Sequence, residues 1–276
     1  MKYHNHKIMM FICATAFSVT ACSNSNSFSD PIDFETPSET PNPIPTQGTA
    51  KTFTTTADGT YSLAEGEAKL FDGVSMAPTT IEIDKNKKFQ TIDGFGYAIT
   101  YSSCYNLMKM NPEARLALLK RIYSTTEGYG VSYARISLGC NDFSSTEYTY
   151  CDKKGSENDP ISNFELYSDE NNYVIPILKE ILSINPSLKI IAAPWTCPKW
   201  MKVADINTKT PKDSWTDGHL NPDYRETYAK YFVKFIKVMK EKGINIYAVS
   251  PQNEPLNKAN CASLYMPWQE EAPFVK

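Results

Sequence analysis

Two periods of apolar residues alternate along most of this chain. Short runs suited to strands lie at 89–99, 131–138, 188–193 and 244–250, the last reading as a buried one. Stretches with apolar residues at helical spacing fall between them. Asn111-Pro112-Glu113 predicts a helix start, because Asn can cap and Pro suits the first turn. Leu116, Leu119 and Tyr123 follow at helical spacing. A second helix is predicted near 173–184, stopping before Asn185-Pro186. A third opens at Asn221-Pro222, carries Tyr224, Tyr228, Phe232, Phe235 and Met239 on one stripe, and stops at Gly243. The run 188–193 is almost continuously apolar, as parallel strands covered on both faces are. Alternating β and α elements predict an α/β fold with a parallel sheet. About four βα units fit, whereas a closed barrel takes eight strands and typically about 250 residues. The expectation is an incomplete (β/α)8 TIM barrel over 89–276, its N-terminal half; a different open sheet is the alternative.

Before residue 89 the pattern differs. Residues 51–88 hold β-like pieces, Thr52-Phe53-Thr54-Thr55-Thr56 and Thr80-Ile81-Glu82-Ile83, with turn signals at Asp58-Gly59 and Asp72-Gly73. They predict short β-strands of a side β-module. Residues 23–50 are rich in Ser, Thr, Asn and Pro and predict a disordered linker, since they offer little apolar surface to bury. Residues 1–22 read as a lipoprotein signal peptide. Lys2, His4, His6 and Lys7 precede an apolar stretch at 8–19 that is too short to span a membrane. Val19-Thr20-Ala21-Cys22 resembles a bacterial lipobox, with Cys22 as the lipidated residue. A lipid there would anchor an exported protein to a bacterial membrane, periplasmic or at the cell surface. A plain secretory signal with an incidental Cys is the other reading.

Composition narrows the chemistry. A formal net charge of −3 offers no basic field to nucleic acid. Aromatics at 12%, with 17 Tyr, suit sugar-facing rings or simply an aromatic core. Of 3 His, only His219 lies beyond the signal. That excludes a three-His zinc site and makes any Ser-His-Asp triad depend on His219. His219 follows Asp217-Gly218 and reads as a solvated loop residue. Gly94-Phe95-Gly96 runs on to Ile99 instead of a third Gly, so the dinucleotide fingerprint fails. Cys104, Cys140, Cys151, Cys197 and Cys261 are widely spaced; export permits a disulfide, but the spacing assigns none. No metal or cofactor is implied.

The remaining candidates sit where strands end. The second predicted strand ends in Arg135-Ile136-Ser137-Leu138, followed by Asn141-Asp142-Phe143-Ser144. The third ends in Pro194-Trp195-Thr196-Cys197-Pro198, the fourth in Asn253-Glu254-Pro255. A (β/α) barrel brings these ends to one mouth. There Glu254 suits acid/base work on a glycosidic oxygen, Trp195 suits a sugar face, and Asp142 suits sugar hydroxyls. Plainer readings exist for each: core packing for Trp195, a turn or helix cap for Asp142, a carboxylate partner for Arg135.

Taken together, these segments resemble glycoside hydrolase family 30, the group containing glucosylceramidases and β-1,6-glucanases. The resemblance rests on Ile92-Asp93-Gly94-Phe95-Gly96, Arg135-Ile136, Cys140-Asn141-Asp142-Phe143-Ser144, Ala193-Pro194-Trp195-Thr196-Cys197-Pro198, Tyr231-Phe232-Val233-Lys234-Phe235 and Pro251-Gln252-Asn253-Glu254-Pro255. It implies a retaining β-glycoside hydrolase acting on a β-linked glycan or glycolipid. It implies Glu254 as general acid/base and Asn253 as the amide for the sugar 2-hydroxyl. Asp142 and Trp195 would bind the sugar, and Arg135 would support the carboxylates. Thr100-Tyr101 departs from the Thr-Asp of many relatives. The family's nucleophile lies well downstream of the acid/base. Glu270 and Glu271 follow Glu254 too soon to serve, so the expectation is a truncated chain, inactive alone. The rival expectation is a non-catalytic surface glycan-binding lipoprotein that keeps Trp195 and Asp142 without needing Glu254.

Overall fold

The computed structural model describes residues 46–71, 81, 83–259 and 261–276. It divides into two compact units, one up to Lys87 and one from Lys88 onward. In the first, β1 (Thr46–Thr54) and β2 (Ala64–Phe71) form an antiparallel pair with Thr49 opposite Lys69 and Thr54 opposite Ala64. Asp58 ties the connecting turn by accepting from the Thr60 backbone N–H at 3.1 Å and its hydroxyl at 2.7 Å. The strand β1 starts at Thr46, inside the stretch 23–50 that composition marks as linker. Pairing with β2 satisfies the backbone groups on its inner edge even though few of its side chains are apolar. Cys22, the signal peptide, the rest of that stretch and Asp72-Gly73 lie outside the described residues. Ile81 and Ile83 belong to no strand.

The second unit opens with β3 (Gly96–Ala98), α1 (Tyr101–Lys109), α2 (Pro112–Tyr123) and β4 (Tyr133–Ser137). A π-helical turn, Glu170–Val174, runs into α3 (Ile175–Ile184), then β5 (Lys189–Ala193). A short antiparallel pair follows, β6 (Lys202–Val203) with β7 (His219–Leu220). The unit continues through α4 (Arg225–Glu241) and β8 (Ile246–Val249) to α5 (Trp268–Val275). The strands β3, β4, β5 and β8 form one 4-stranded parallel sheet in that order. This is the partial (β/α) barrel that the sequence pattern predicts.

The predicted helix starts hold. Asn111 Oδ1 accepts the Glu113 N–H at 2.9 Å, and Asn221 Oδ1 accepts the Asp223 N–H at 3.0 Å. Gly243, at φ +85°, ends the fourth helix in the left-handed region that favours glycine. The core lies between the sheet and its helices. It joins Ile190 and Ala192 of β5 to Leu119 and Tyr123 of α2, Ile177, Leu178 and Ile181 of α3, and Tyr228, Tyr231, Phe235 and Met239 of α4. Burying side chains of this size contributes about 1.5–3 kcal/mol each.

Three expectations change. The first strand shrinks from 89–99 to Gly96–Ala98, leaving Phe89, Ile92 and Phe95 exposed. Leu116 is exposed as well. The last strand, β8, is not buried on both faces: Tyr247 is 58% exposed, because β8 is an outer strand with a neighbour on one side only. Both outer strands therefore pair less and bury less than their hydrophobicity foretells.

Candidate active site

Parallel register brings the C-terminal ends of β4, β5 and β8 to one edge of the sheet. Main-chain bonds fasten the exits there. The Leu138 N–H donates to Ala193 O, the Ser250 N–H to Ala192 O, and the Asn253 N–H to Pro194 O, each at 2.9 Å. Gln252 is buried and donates from Nε2 to the carbonyls of Trp195 (2.8 Å) and Leu264 (3.2 Å). The chain leaving β8 is thus located by the chain leaving β5, before any substrate arrives.

Arg135 is the hub. Its Nη2 donates to Asn253 Oδ1 at 2.7 Å, and its guanidinium carbon lies 5.1 Å from the Trp195 ring centroid. Burial lowers the Arg135 pKa, while the charges of Asp142 and Glu254 act in the opposite sense. Both carboxylates therefore stand in the electrostatic reach of one guanidinium. Trp195 is 8% exposed and belongs to the hydrophobic core, so the packing reading holds for it alongside its place under Arg135.

Asp142 is exposed on a turn built by its neighbour. Asn141 Oδ1 accepts the Phe143 N–H at 2.7 Å, the Asn141 N–H donates to Ser144 Oγ at 3.0 Å, and Asn141 Nδ2 donates to Ser137 Oγ at 3.0 Å. The turn reading is right for the segment, yet the Asp142 carboxylate takes no part in these turn bonds. With Asn141, Ser144, Glu147 and Cys261, Asp142 lines a recess of about 200 Å³. Glu254 is exposed and accepts from Asn257 Nδ2 through Oε2 at 2.6 Å. Arg135 thus meets both Trp195 and Asn253. Asp142 and Glu254 join them through the field of Arg135.

One expectation needs correcting. His219 is not a solvated loop residue. It lies in β7 with its side chain 21% exposed, and Nδ1 stands 2.8 and 3.0 Å from the two carboxylate oxygens of buried Glu270. Its ring meets that of Tyr265 edge-on at 5.2 Å. The polar sequence around His219 hides this, because the first turn of α5 is brought over it only by folding. The sequence also carries no hint of the role of Gln252 beyond its place beside Asn253. Cys104, Cys140, Cys151 and Cys197 are buried free thiols.

A carboxylate, an amide, a guanidinium and an indole at the C-terminal edge of a parallel βα sheet stand where (β/α) barrels carry their active sites. The chain belongs to glycosyl hydrolase family 30, whose TIM-barrel domain matches residues 92–265. Among curated relatives, it is 30% identical over 250 residues to an endo-1,6-β-D-glucanase of Trichoderma harzianum, covering 87% of this chain and 50% of that one. It is 32% identical over 177 residues to the lysosomal acid glucosylceramidase of Mus musculus, covering 63% of this chain and 33% of that one. A solved endo-β1,6-glucanase superposes with a TM-score of 0.71 at 55% identity, covering 82% of this chain and 47% of the other. The chain spans half or less of the length of these relatives.

Proposed function

We propose that this chain carries the proton-donating half of a retaining β-glycosidase acting on a β-1,6-linked glucan. The observation that carries it is the Arg135 hub, which gathers Asn253, Trp195, Asp142 and Glu254 at the ends of three parallel strands. Glu254 protonates the leaving oxygen, and a second carboxylate attacks the anomeric carbon. Glu254 then takes a proton from the water that releases the sugar. Asn253, oriented by Arg135, meets the sugar 2-hydroxyl; Asp142 accepts from other hydroxyls; Trp195 lies against the ring. The choice of glucan over glucosylceramide is supported by the 55% identity to a solved endo-β1,6-glucanase. Export and anchoring through a lipid on Cys22 belong to the same proposal, and a surface-anchored enzyme suits a polymeric substrate.

The attacking carboxylate must stand about 5–5.5 Å from Glu254 in a retaining site. We place it on a barrel strand outside the 4-stranded sheet described above, so these residues assayed by themselves bind glucan without hydrolysing it. The test is calorimetric titration of the purified chain with a β-1,6-gluco-oligosaccharide, alongside an aryl β-glucoside assay. The expected result is binding that Trp195→Ala and Asp142→Ala weaken, without turnover. Absent binding, or binding indifferent to both substitutions, overturns the site. Turnover that Glu254→Gln abolishes overturns the claim of inactivity.

A further inference from the structure

Lys202 keeps its charge away from water. The residue is 2% exposed, and Nζ donates toward the backbone carbonyls of Ser214 (3.0 Å), Trp215 (3.0 Å), Asp217 (3.0 Å) and Ser263 (2.6 Å). An ammonium has three donors, so at least one N–H is shared among these acceptors. Among the described residues no carboxylate pairs with it; Asp217 pairs through Oδ2 with Lys212 at 2.9 Å. Burial pulls the Lys202 pKa down to about 8, with Cys197, Asp217, Lys212 and Cys140 the ionisable groups around it. The ammonium is still the majority form at neutral pH. A cation ringed by carbonyl oxygens in place of water is the arrangement that potassium filters use.

The surrounding backbone is shaped to hold this ring. Asp217 and Gly218 take φ +55° and +83°, a conformation that is costly for a residue with a side chain. A Cβ on Gly218 would stand 3.6 Å from Cδ of Lys202 and 3.0 Å from Cδ of Lys212. Ser214–Asp217 lie between β6 and β7, whereas Ser263 lies between Glu254 and α5. Three more bonds of 2.9 Å join these segments: the Ser263 N–H to Trp215 O, the Tyr265 N–H to Gly218 O, and the Asp217 N–H to Ser263 Oγ. The second segment returns to both sides of Glu254. The Met266 N–H donates to Pro255 O at 2.7 Å, and Leu264 O accepts from Gln252 at 3.2 Å.

We propose that Lys202 is a positioning residue for Glu254, its ammonium serving as a built-in monovalent cation that holds residues 263–266 against residues 214–218. The positioning role rests on the acid/base reading of Glu254, whereas the carbonyl ring stands without it. Two substitutions separate charge from bulk. Lys202→Met keeps the stem and removes the charge; Lys202→Ala leaves room for a soluble cation.

The experiment is hydrogen exchange of the full chain in sodium, potassium or propylammonium chloride at equal ionic strength. In both variants the amides of Asp217, Ser263 and Tyr265 should exchange about tenfold faster or more, while that of Ser250 keeps its protection. Potassium or propylammonium, but not sodium, should restore protection in Lys202→Ala. Unchanged exchange in Lys202→Met, or loosening that no cation relieves in Lys202→Ala, overturns the proposal. Should the variants not fold, the native chain decides by nitrogen-15 NMR. A slowly exchanging Lys202 ammonium at neutral pH upholds the ring, and a neutral amine or fast exchange overturns it. In any glucan-hydrolysing form of the protein, Lys202→Met should lower kcat more than it raises KM. Unchanged kcat in Glu254→Gln there would sink the acid/base reading and leave the ring intact.

Discussion

Arg135 on β4 donates through Nη2 to Asn253 Oδ1 beyond the end of β8, across 2.7 Å, although β5 stands between those strands in the sheet. The bond closes over the top of β5, where Trp195 lies 5.1 Å from the guanidinium carbon. The amide oxygen of Asn253 is thereby engaged, which leaves Nδ2 to meet a ligand. A lysine cannot reproduce both the planar stack and the bond. Arg135→Lys should weaken oligosaccharide binding by about 10- to 100-fold, on the order of 1.5–3 kcal/mol for a hydrogen bond to a charged group. Titration calorimetry measures this, and a denaturation midpoint close to that of the parent separates it from unfolding.

Glu170 gives stability an unusual pH dependence. It is 3% exposed in the π-helical turn, accepts the Tyr148 hydroxyl at 2.7 Å, and burial pushes its pKa up to about 7 from 4.5. Asp169 beside it, with Tyr148, Tyr150, Tyr231, Cys104 and Cys140 around it, supplies no cation. Below the ordinary pKa both folded and unfolded chains hold the proton. As pH rises from about 4.5 to about 7 the unfolded chain ionises first, so stability falls through that window and levels off above it. The loss is on the order of 3 kcal/mol. Urea denaturation at pH 5 and pH 8 should show it as a difference between the parent and Glu170→Gln, which stays neutral throughout. Parallel pH profiles for the two proteins would contradict this account.

His219→Ala should destabilise the fold by about 1–3 kcal/mol, because it strips buried Glu270 of a partner at 2.8 Å. Adding Glu270→Gln should recover part of that loss, since a neutral amide is cheaper to bury than an unpaired carboxylate. Chemical denaturation of both single variants and the double variant measures the coupling; additive losses would show that the pair contributes nothing.

Gly96→Ala should detach β3. A Cβ there would lie 2.2 Å from the backbone oxygen of Tyr133, in the strand that β3 pairs with, and that oxygen cannot swing aside as a side chain can. The expected destabilisation is about 1–3 kcal/mol or more, as for overpacked cores. Faster hydrogen exchange at the Ile99 amide, which donates to Arg135 O at 2.8 Å, would report the detachment.

The sequence was most legible where a signal is local. Asn111-Pro112 and Asn221-Pro222 announce helix starts that the structure caps as expected. The Leu188–Ala193 run announces β5, whose central place buries Ile190 and Ala192. It was least legible at the sheet's outer strands, where exposure depends on neighbours absent from one side. Tyr247 and Phe95 lie in apolar runs that read as strands and stand in the open.

Hydrophobic period, caps and breakers settle which residues become strand or helix, because they act within a few residues, and with strand order they place Arg135, Asp142, Trp195 and Glu254 at strand ends. Folding alone decided which side chains meet. Arg135 found Asn253 across another strand, His219 found Glu270, and Lys202 found carbonyls from segments far apart in the chain. Such partnerships arise from the docking of distant segments, and no pattern of nearby residues records them.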